Sequence, residues 1–265
     1  MTKIKDQVVW LTGASSGIGE ALAYELSKEG AKLILSARRE QELARVKQQC
    51  VNPSNIKILP LDLSDAASLI SKAEKAESLF GEIDILIHSG GISQRDRAVN
   101  TSIDVDRKIM EVNYFGSIAL SKAVLPEMVK RKKGHHVIIS SATGIVSSPL
   151  RSGYAASKHA LHGFYDALRA EHFKDNILVS IICPGYIKTN ISINALMGDG
   201  SNQNKMDDAQ AKGISAEECA KRTIKAIKKE KEEVYIAKSR ELMGIYIKRF
   251  FPSLFSKIIR NIKVT

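Results

Sequence analysis

Seven short runs of β-branched residues and leucine punctuate the chain: VVWLT (8–12), KLILSA (32–37), IKILPL (56–61), IDILIH (83–88), HVIIS (136–140), ILVSIIC (177–183) and EVYIA (233–237). Each is apolar almost without interruption, as a strand covered on both faces must be. Between them the apolar positions take helical spacing, as in GIGEALAYELSKEG (17–30), REQELARVKQQC (39–50) and SLISKAEKAESLFG (68–81), and again over 104–131 and 152–174. Strand and helix alternate seven times. Parallel strands need long crossovers, so this order predicts an α/β fold: a single doubly wound domain with a mainly parallel seven-stranded sheet flanked by helices. No internal repeat and no linker rich in Pro, Gly or Ser divides it.

Two segments depart from the alternation. Residues 190–213, NISINALMGDGSNQNKMDDAQAKG, are polar and glycine-punctuated and follow a strand end, which predicts a lid-like insertion over a site. After a domain spanning 1–241, residues 242–265 form a tail whose apolar positions Met243, Ile247, Phe250, Leu254, Ile258 and Ile262 recur beside Phe251, Phe255 and Ile259. Lys248, Arg249, Lys257, Arg260 and Lys263 fall between them, and Pro252 divides the tail into two helices. Such a stripe packs on the body or a second subunit more often than on lipid, while its basic character suits peripheral contact with an anionic membrane.

Composition narrows the class. A chain of 265 residues with 44% apolar and 26% charged residues can bury one large core. The net charge of +11 is concentrated at the end, where residues 221–265 hold thirteen Lys/Arg against four Asp/Glu. A nucleic-acid surface would spread basic and aromatic residues across the domain, so no nucleic-acid partner is expected. Cys50, Cys183 and Cys219 are far apart, which fits a reducing cytoplasm and predicts no metal site. No apolar run reaches signal-peptide or membrane-spanning length, so a cytoplasmic protein is expected, membrane-associated if the tail meets lipid.

The candidate chemistry begins with TGASSGIG (12–19), directly between a predicted strand and a predicted helix. Gly13 permits a tight turn, Gly17 admits a ligand close to the backbone, and Gly19 allows close helix–strand packing. Ser15, Ser16 and Ile18 complete a loop whose helix N-terminus suits a pyrophosphate; the plainer alternative is a glycine turn used for packing alone. A second signal is SGYAASKHAL (152–161), where Tyr154 and Lys158 stand one helical turn apart on one face. An ammonium about 4 Å from a phenol at an effective dielectric of roughly 20 contributes about 4 kcal/mol, or close to three pKa units. Lys158, helped by the positive charge of an oxidised cofactor, is therefore expected to bring Tyr154 toward neutrality as an acid–base group.

The GxxxGxG loop together with Tyr154 and Lys158 resembles the short-chain dehydrogenase/reductase family, over about Val8 to Thr189. The resemblance implies a Rossmann-type domain, a homodimer or homotetramer, and a catalytic set of Asn113, Ser141, Tyr154 and Lys158. In that set Ser141, thirteen residues before Tyr154, orients the substrate oxygen, Lys158 also binds the nicotinamide ribose, and Asn113 holds a water that relays protons. Singly, Ser141 reads as a strand-end cap and Asn113 as a helix amide. The resemblance further places Asp62 of LDLSD, with Leu63, at the adenine, although Asp62 alone reads as a turn residue. Pro184, Gly185, Ile187 and Thr189 of CPGYIKT would lie along the nicotinamide. Where the family has Asn-Asn-Ala-Gly, this chain has His88-Ser89-Gly90-Gly91, and Gly90 is expected at the cofactor.

LSARRE (35–40) offers Arg38 and Arg39 where NAD-binding domains place a carboxylate. Guanidinium groups fork onto phosphate oxygens, so the expected cofactor is NADP(H). A solvated arginine pair, and with it an NAD-linked alcohol dehydrogenase, is the alternative. Ile92, Ile145, Val146, Leu150 and the insertion predict apolar substrate walls, hence a hydrophobic secondary alcohol or carbonyl compound. A non-catalytic NADP-binding regulator is a further alternative, at odds with the complete catalytic set. The finer likeness, to β-hydroxysteroid-dehydrogenase-like or dehydrogenase/reductase member 7-like proteins, rests on LILSARR and the basic tail.

Overall fold

The computed structural model describes residues 2–262; Lys263 of the predicted tail lies outside them. In chain order the elements are β1 (Val8–Thr12), α1 (Gly17–Lys28), β2 (Lys32–Ser36), α2 (Glu40–Gln49), β3 (Ile56–Ile58), α3 (Ala66–Phe80), β4 (Ile85–His88) and α4 (Ile103–Met110). Then come α5 (Gly116–Lys130), β5 (Gly134–Ile139), α6 (Ser152–Glu171), β6 (Ile177–Pro184), β7 (Ile187–Lys188), α7 (Asp208–Ala211) and β8 (Ile214–Ser215). The last four are α8 (Ala216–Lys228), β9 (Glu233–Ile236), α9 (Ser239–Phe250) and α10 (Pro252–Ile259). Seven strands form one parallel sheet in the order β3-β2-β1-β4-β5-β6-β9, and β7 pairs with β8 apart from it.

The two-residue period of a strand explains why the apolar runs are continuous. Val9, Leu11, Leu33, Leu35, Ile85 and Ile87 point into the core under α1, α2 and α8. Val8, Trp10, Ile34 and Leu86 point into the opposite core, under α3, α5 and α6. Trp10, fully buried, donates from Nε1 to Ser36 Oγ at 2.9 Å, so its polar edge is satisfied between β1 and β2. β3 is the edge strand and ends at Ile58, short of the predicted run, and Pro60 falls where its nitrogen faces the free edge. Its neighbours Leu59 and Leu61 still donate to Leu35 and Ala37, at 3.0 Å each.

The segment 104–131 is not one uniform helix. A π-helical turn at Glu111–Phe115 separates α4 from α5 and holds Asn113, which is fully buried. The insertion 190–213 is folded rather than loose: Leu196 N donates to Ser93 O and Arg95 N to Leu196 O, at 2.9 Å each. The tail helix starts at Ser239, earlier than the predicted position 242.

Candidate active site

The chain reverses its direction of sheet growth at β1, where Thr12 pairs with Ser36 of β2 on one side and His88 of β4 on the other. A crevice opens at the strand ends of such a point. The cavity there measures about 890 Å³, within the roughly 300–1,000 Å³ of small-molecule sites. Gly13, Ser15, Ser16, Gly17, Ile18 and Gly19 line one side of it. Gly13 has φ +68°, and a Cβ there would lie 2.5 Å from Gly90 N, so both conformation and the approach of the β4 loop require glycine. Gly17, with φ +59°, faces the Thr189 side chain, where a Cβ would meet Cγ2 at 3.1 Å. Gly19 closes on the Gly13 carbonyl, so its close packing is within the loop rather than onto the strand. The first turn of α1 thus presents backbone N–H groups to an open cradle, the arrangement that takes a phosphate.

Arg38 and Arg39 lie where β2 turns into α2; both are exposed, and both line the cavity. Arg39 Nη2 donates to Ser15 Oγ at 3.4 Å, and neither arginine forms an ion pair among the described residues. Glu40 opens α2 and is not part of the wall. Asp62 and Leu63 line the same end. Burial works to raise the Asp62 carboxyl, and the Ser64 N–H and hydroxyl with the Arg38 and Lys108 charges more than offset it, so it lies below its usual value.

At the other end stand Ser141, Tyr154 and Lys158. Ser141 follows β5, and its Oγ accepts from Thr143 N at 3.1 Å and from the Thr143 hydroxyl at 2.8 Å. It is thus a cap as well as a cavity residue. Tyr154 and Lys158 project from α6 with only 8% and 5% of their surface exposed. Burial pushes the Tyr154 phenol up, while the Ser141 hydroxyl, Arg95 and Arg151 pull it down, leaving it above its ordinary value. Lys158 does not supply the expected drop: its Nζ lies 5.8 Å from the Tyr154 ring centroid and donates to Ile139 O at 2.9 Å. Burial instead pushes the lysine down to about 8. The simple Coulomb expectation omitted desolvation of both partners, which dominates here.

Asn113 is brought to the same region but lies behind the wall. Its Oδ1 accepts from Ile92 N at 2.8 Å, and its Nδ2 donates to Ile92 O at 2.9 Å and to Ser157 Oγ at 2.9 Å. Ser157 in turn donates to Tyr154 O at 2.8 Å. The asparagine therefore ties the loop after β4 to the helix that carries Tyr154 and Lys158. A Cβ placed on Gly91 would lie 3.1 Å from Asn113 Oδ1 and 3.7 Å from Lys158 Nζ, so this glycine keeps the three groups close. Pro184, Gly185, Ile187 and Thr189 line the cavity beyond β6, and Gln210 donates to Ile187 O and, at 3.4 Å, to Thr189 Oγ1.

The substrate walls differ in part from expectation. Ile92 and Val146 face the cavity, but Ile145 packs into the α6 core and Leu150 adopts φ +66° outside the wall. A buried ionic cluster joins the wall instead. Arg95 Nε donates to Asp207 Oδ2 at 2.7 Å, and Arg151 Nη2 donates to the same oxygen at 3.3 Å. All three side chains are almost fully buried, and Asp207 belongs to the insertion. His88 lies beneath the site: Nε2 sits 2.8 Å from Ser121 Oγ, which also meets Tyr165 OH at 2.8 Å and His136 Nδ1 at 3.2 Å. Burial pushes His88 down to about 3, so it braces the sheet as a neutral ring.

The model of the family described as short chain dehydrogenase matches residues 7–198. That is most of the chain, and it contains the glycine loop, Ser141, Tyr154 and Lys158. The chain belongs to the short-chain dehydrogenase family. Among curated relatives, a dehydrogenase/reductase SDR family protein 7-like from Anopheles gambiae is 46% identical over 264 residues, covering 97% of this chain and 83% of its own. Dehydrogenase/reductase SDR family member 7 from Homo sapiens is 43% identical over 257 residues, covering 95% and 76%. A short-chain dehydrogenase/reductase from Burkholderia phymatum, solved in complex with NAD, superposes with TM-score 0.83 at 23% identity over 96% of each chain. A short-chain dehydrogenase from Streptomyces avermitilis gives TM-score 0.79 at 26% identity, over 98% of this chain and 100% of its own. The family is one of oxidoreductases, and the fold is the Rossmann-like one shared with these structures.

In this short-chain dehydrogenase, no motif or periodicity of the sequence marks Arg95, Asp207 or Ser157. Each owes its place to a contact between segments far apart in the chain. Phe255, Ile259 and Ile262 line the cavity as well, although they belong to the tail. No helix among the described residues is long and apolar enough to cross a membrane.

Proposed function

We propose that this protein transfers hydride between NADP(H) and an apolar secondary alcohol or carbonyl compound, with Tyr154 donating and accepting the proton. The observation that carries this reading is the convergence of Ser141, Tyr154 and Lys158 at one buried end of a cavity whose other end holds the glycine cradle and Arg38 and Arg39. The residues fit the cofactor: Gly13, Gly17 and the α1 N-terminus suit the pyrophosphate, Asp62 the adenine edge, and the two unpaired guanidinium groups a 2′-phosphate. Bound there, the nicotinamide supplies or takes the hydride.

Tyr154, held above its ordinary pKa, keeps its proton at neutral pH and can deliver it to a carbonyl oxygen as charge develops there. Ser141 stands beside that phenol and stabilises the same oxygen by hydrogen bonding. Lys158, near a pKa of about 8, retains its charge at neutral pH and has donors to spare for the ribose. Asn113 positions the loop and α6 relative to each other. The apolar side chains Ile92, Val146, Leu196 and Phe255 favour a hydrophobic substrate. The test is oxidation of NADPH by a panel of apolar aldehydes and ketones, with wild type and Tyr154→Phe side by side. Turnover by the wild type alone supports the reading; equal rates, or no turnover across the panel and its alcohols with NADP, would overturn it.

A further inference from the structure

The two C-terminal helices carry a face that no other part of the described fold covers. Six of the twelve exposed large apolar side chains of the described residues lie there: Met243, Tyr246, Phe250, Phe251, Leu254 and Ile258. Phe250 is 68% and Phe251 63% exposed, at the bend between α9 and α10. Lys248, Arg249, Lys257 and Arg260 are exposed among them, and none forms an ion pair among the described residues. From Leu242 to Ile262 there is no Asp or Glu. On α8, by contrast, Lys221 and Arg222 pair with Glu217 and Glu218 at 2.6 and 2.7 Å, as on a face that meets water.

The opposite side of the hairpin is accounted for. Ile245 and Phe255 are buried, and Phe255, Ile259 and Ile262 line the cavity. Pro252 breaks the helix and resets its register, so the continuous stripe read from the sequence becomes two faces, one inward and one outward. The outward face combines bulky apolar and aromatic side chains with charge of a single sign, which matches an anionic lipid surface. A second copy would set the same positive charges against themselves, so charge complementarity selects lipid over self-association.

We propose that the α9–α10 hairpin docks this protein on an anionic lipid surface, so that an apolar substrate passes from that surface into the cavity beside Phe255. The second clause rests on the function proposed above; the docking itself does not. The experiment is sedimentation of the full chain with vesicles of phosphatidylcholine alone or mixed with phosphatidylserine, at low and high salt, beside an NADPH titration of the same preparation. Binding to the mixed vesicles on the order of tenfold tighter than to neutral ones, and weakened by salt, is the expected result. The combination Arg249→Gln, Lys257→Gln and Arg260→Gln removes the preference for anionic lipid. The combination Phe250→Ser, Phe251→Ser and Leu254→Ser removes binding. None of these residues lines the cavity, so unchanged NADPH affinity and circular dichroism show that each variant is folded. No vesicle binding by the wild type, or equal binding to both vesicles, overturns the proposal. A dimer that dissociates on the Phe250 combination does so too, and assigns the face to a second copy. Vesicle binding without NADPH binding leaves docking in place and strikes the cofactor reading alone.

Discussion

Tyr154 and Lys158 are both buried, and burial drives both toward their uncharged forms, the phenol upward and the ammonium down to about 8. That arrangement suits a tyrosine that presents a proton and a lysine whose charge is held close to its titration point. Tyr154→Phe is expected to lower turnover by about 10²–10⁴-fold while NADPH binding, measured by fluorescence, stays nearly unchanged. Lys158 also makes a statement about stability. Its folded pKa of about 8 lies below its ordinary 10.5, so between those values the unfolded chain binds more protons than the folded one. Stability from this group therefore rises as pH increases from about 8 to 10.5, by an amount on the order of 3 kcal/mol in total. Denaturant titrations across that range should show the rise, and Lys158→Met should flatten it. The sequence made the pair legible because i, i+4 spacing fixes proximity; the sign of the shifts was not legible, because it depends on how completely other segments exclude water.

The elements set these residues in place through two ties. The π-helical turn between α4 and α5 points Asn113 at both backbone groups of Ile92, a contact that a uniform helix would have displaced. Asn113→Ala leaves the two Ile92 groups without their partner and removes one of the two hydrogen bonds of Ser157, and is expected to cost about 1–3 kcal/mol in chemical denaturation. The second tie is the Arg95–Asp207–Arg151 cluster, which fastens the insertion to the body. Asp207→Ala would leave two guanidinium groups buried beside a missing carboxylate and should destabilise the fold by about 3–5 kcal/mol. Limited proteolysis should then cut within residues 190–213 before other sites. The strands and most helices were legible in the sequence because burial on both faces imposes an unbroken apolar run. The tie points were not, because Ser157, Arg95 and Asp207 look like ordinary polar residues until the chain folds. Ile145 and Leu150 mislead for the related reason that loop residues carry no periodicity to give their direction.

At the scale of the molecule, the parallel sheet gathers the functional groups at one edge. The glycine loop after β1, the arginines after β2, Asp62 after β3, Ser141 after β5 and the Pro184–Thr189 segment after β6 all meet one cavity. The family and the fold follow from this order, and the choice of cofactor rests on the turn after β2, which offers Arg38 and Arg39 to the cavity and no carboxylate. Fluorescence titration of the purified protein with NADPH and with NADH tests that claim most directly. NADPH is expected to bind tighter by about tenfold or more, equivalent to about 1.4 kcal/mol. Equal or tighter binding of NADH would contradict the phosphate-recognising role of the arginines, and binding of neither would contradict the account of the cavity itself.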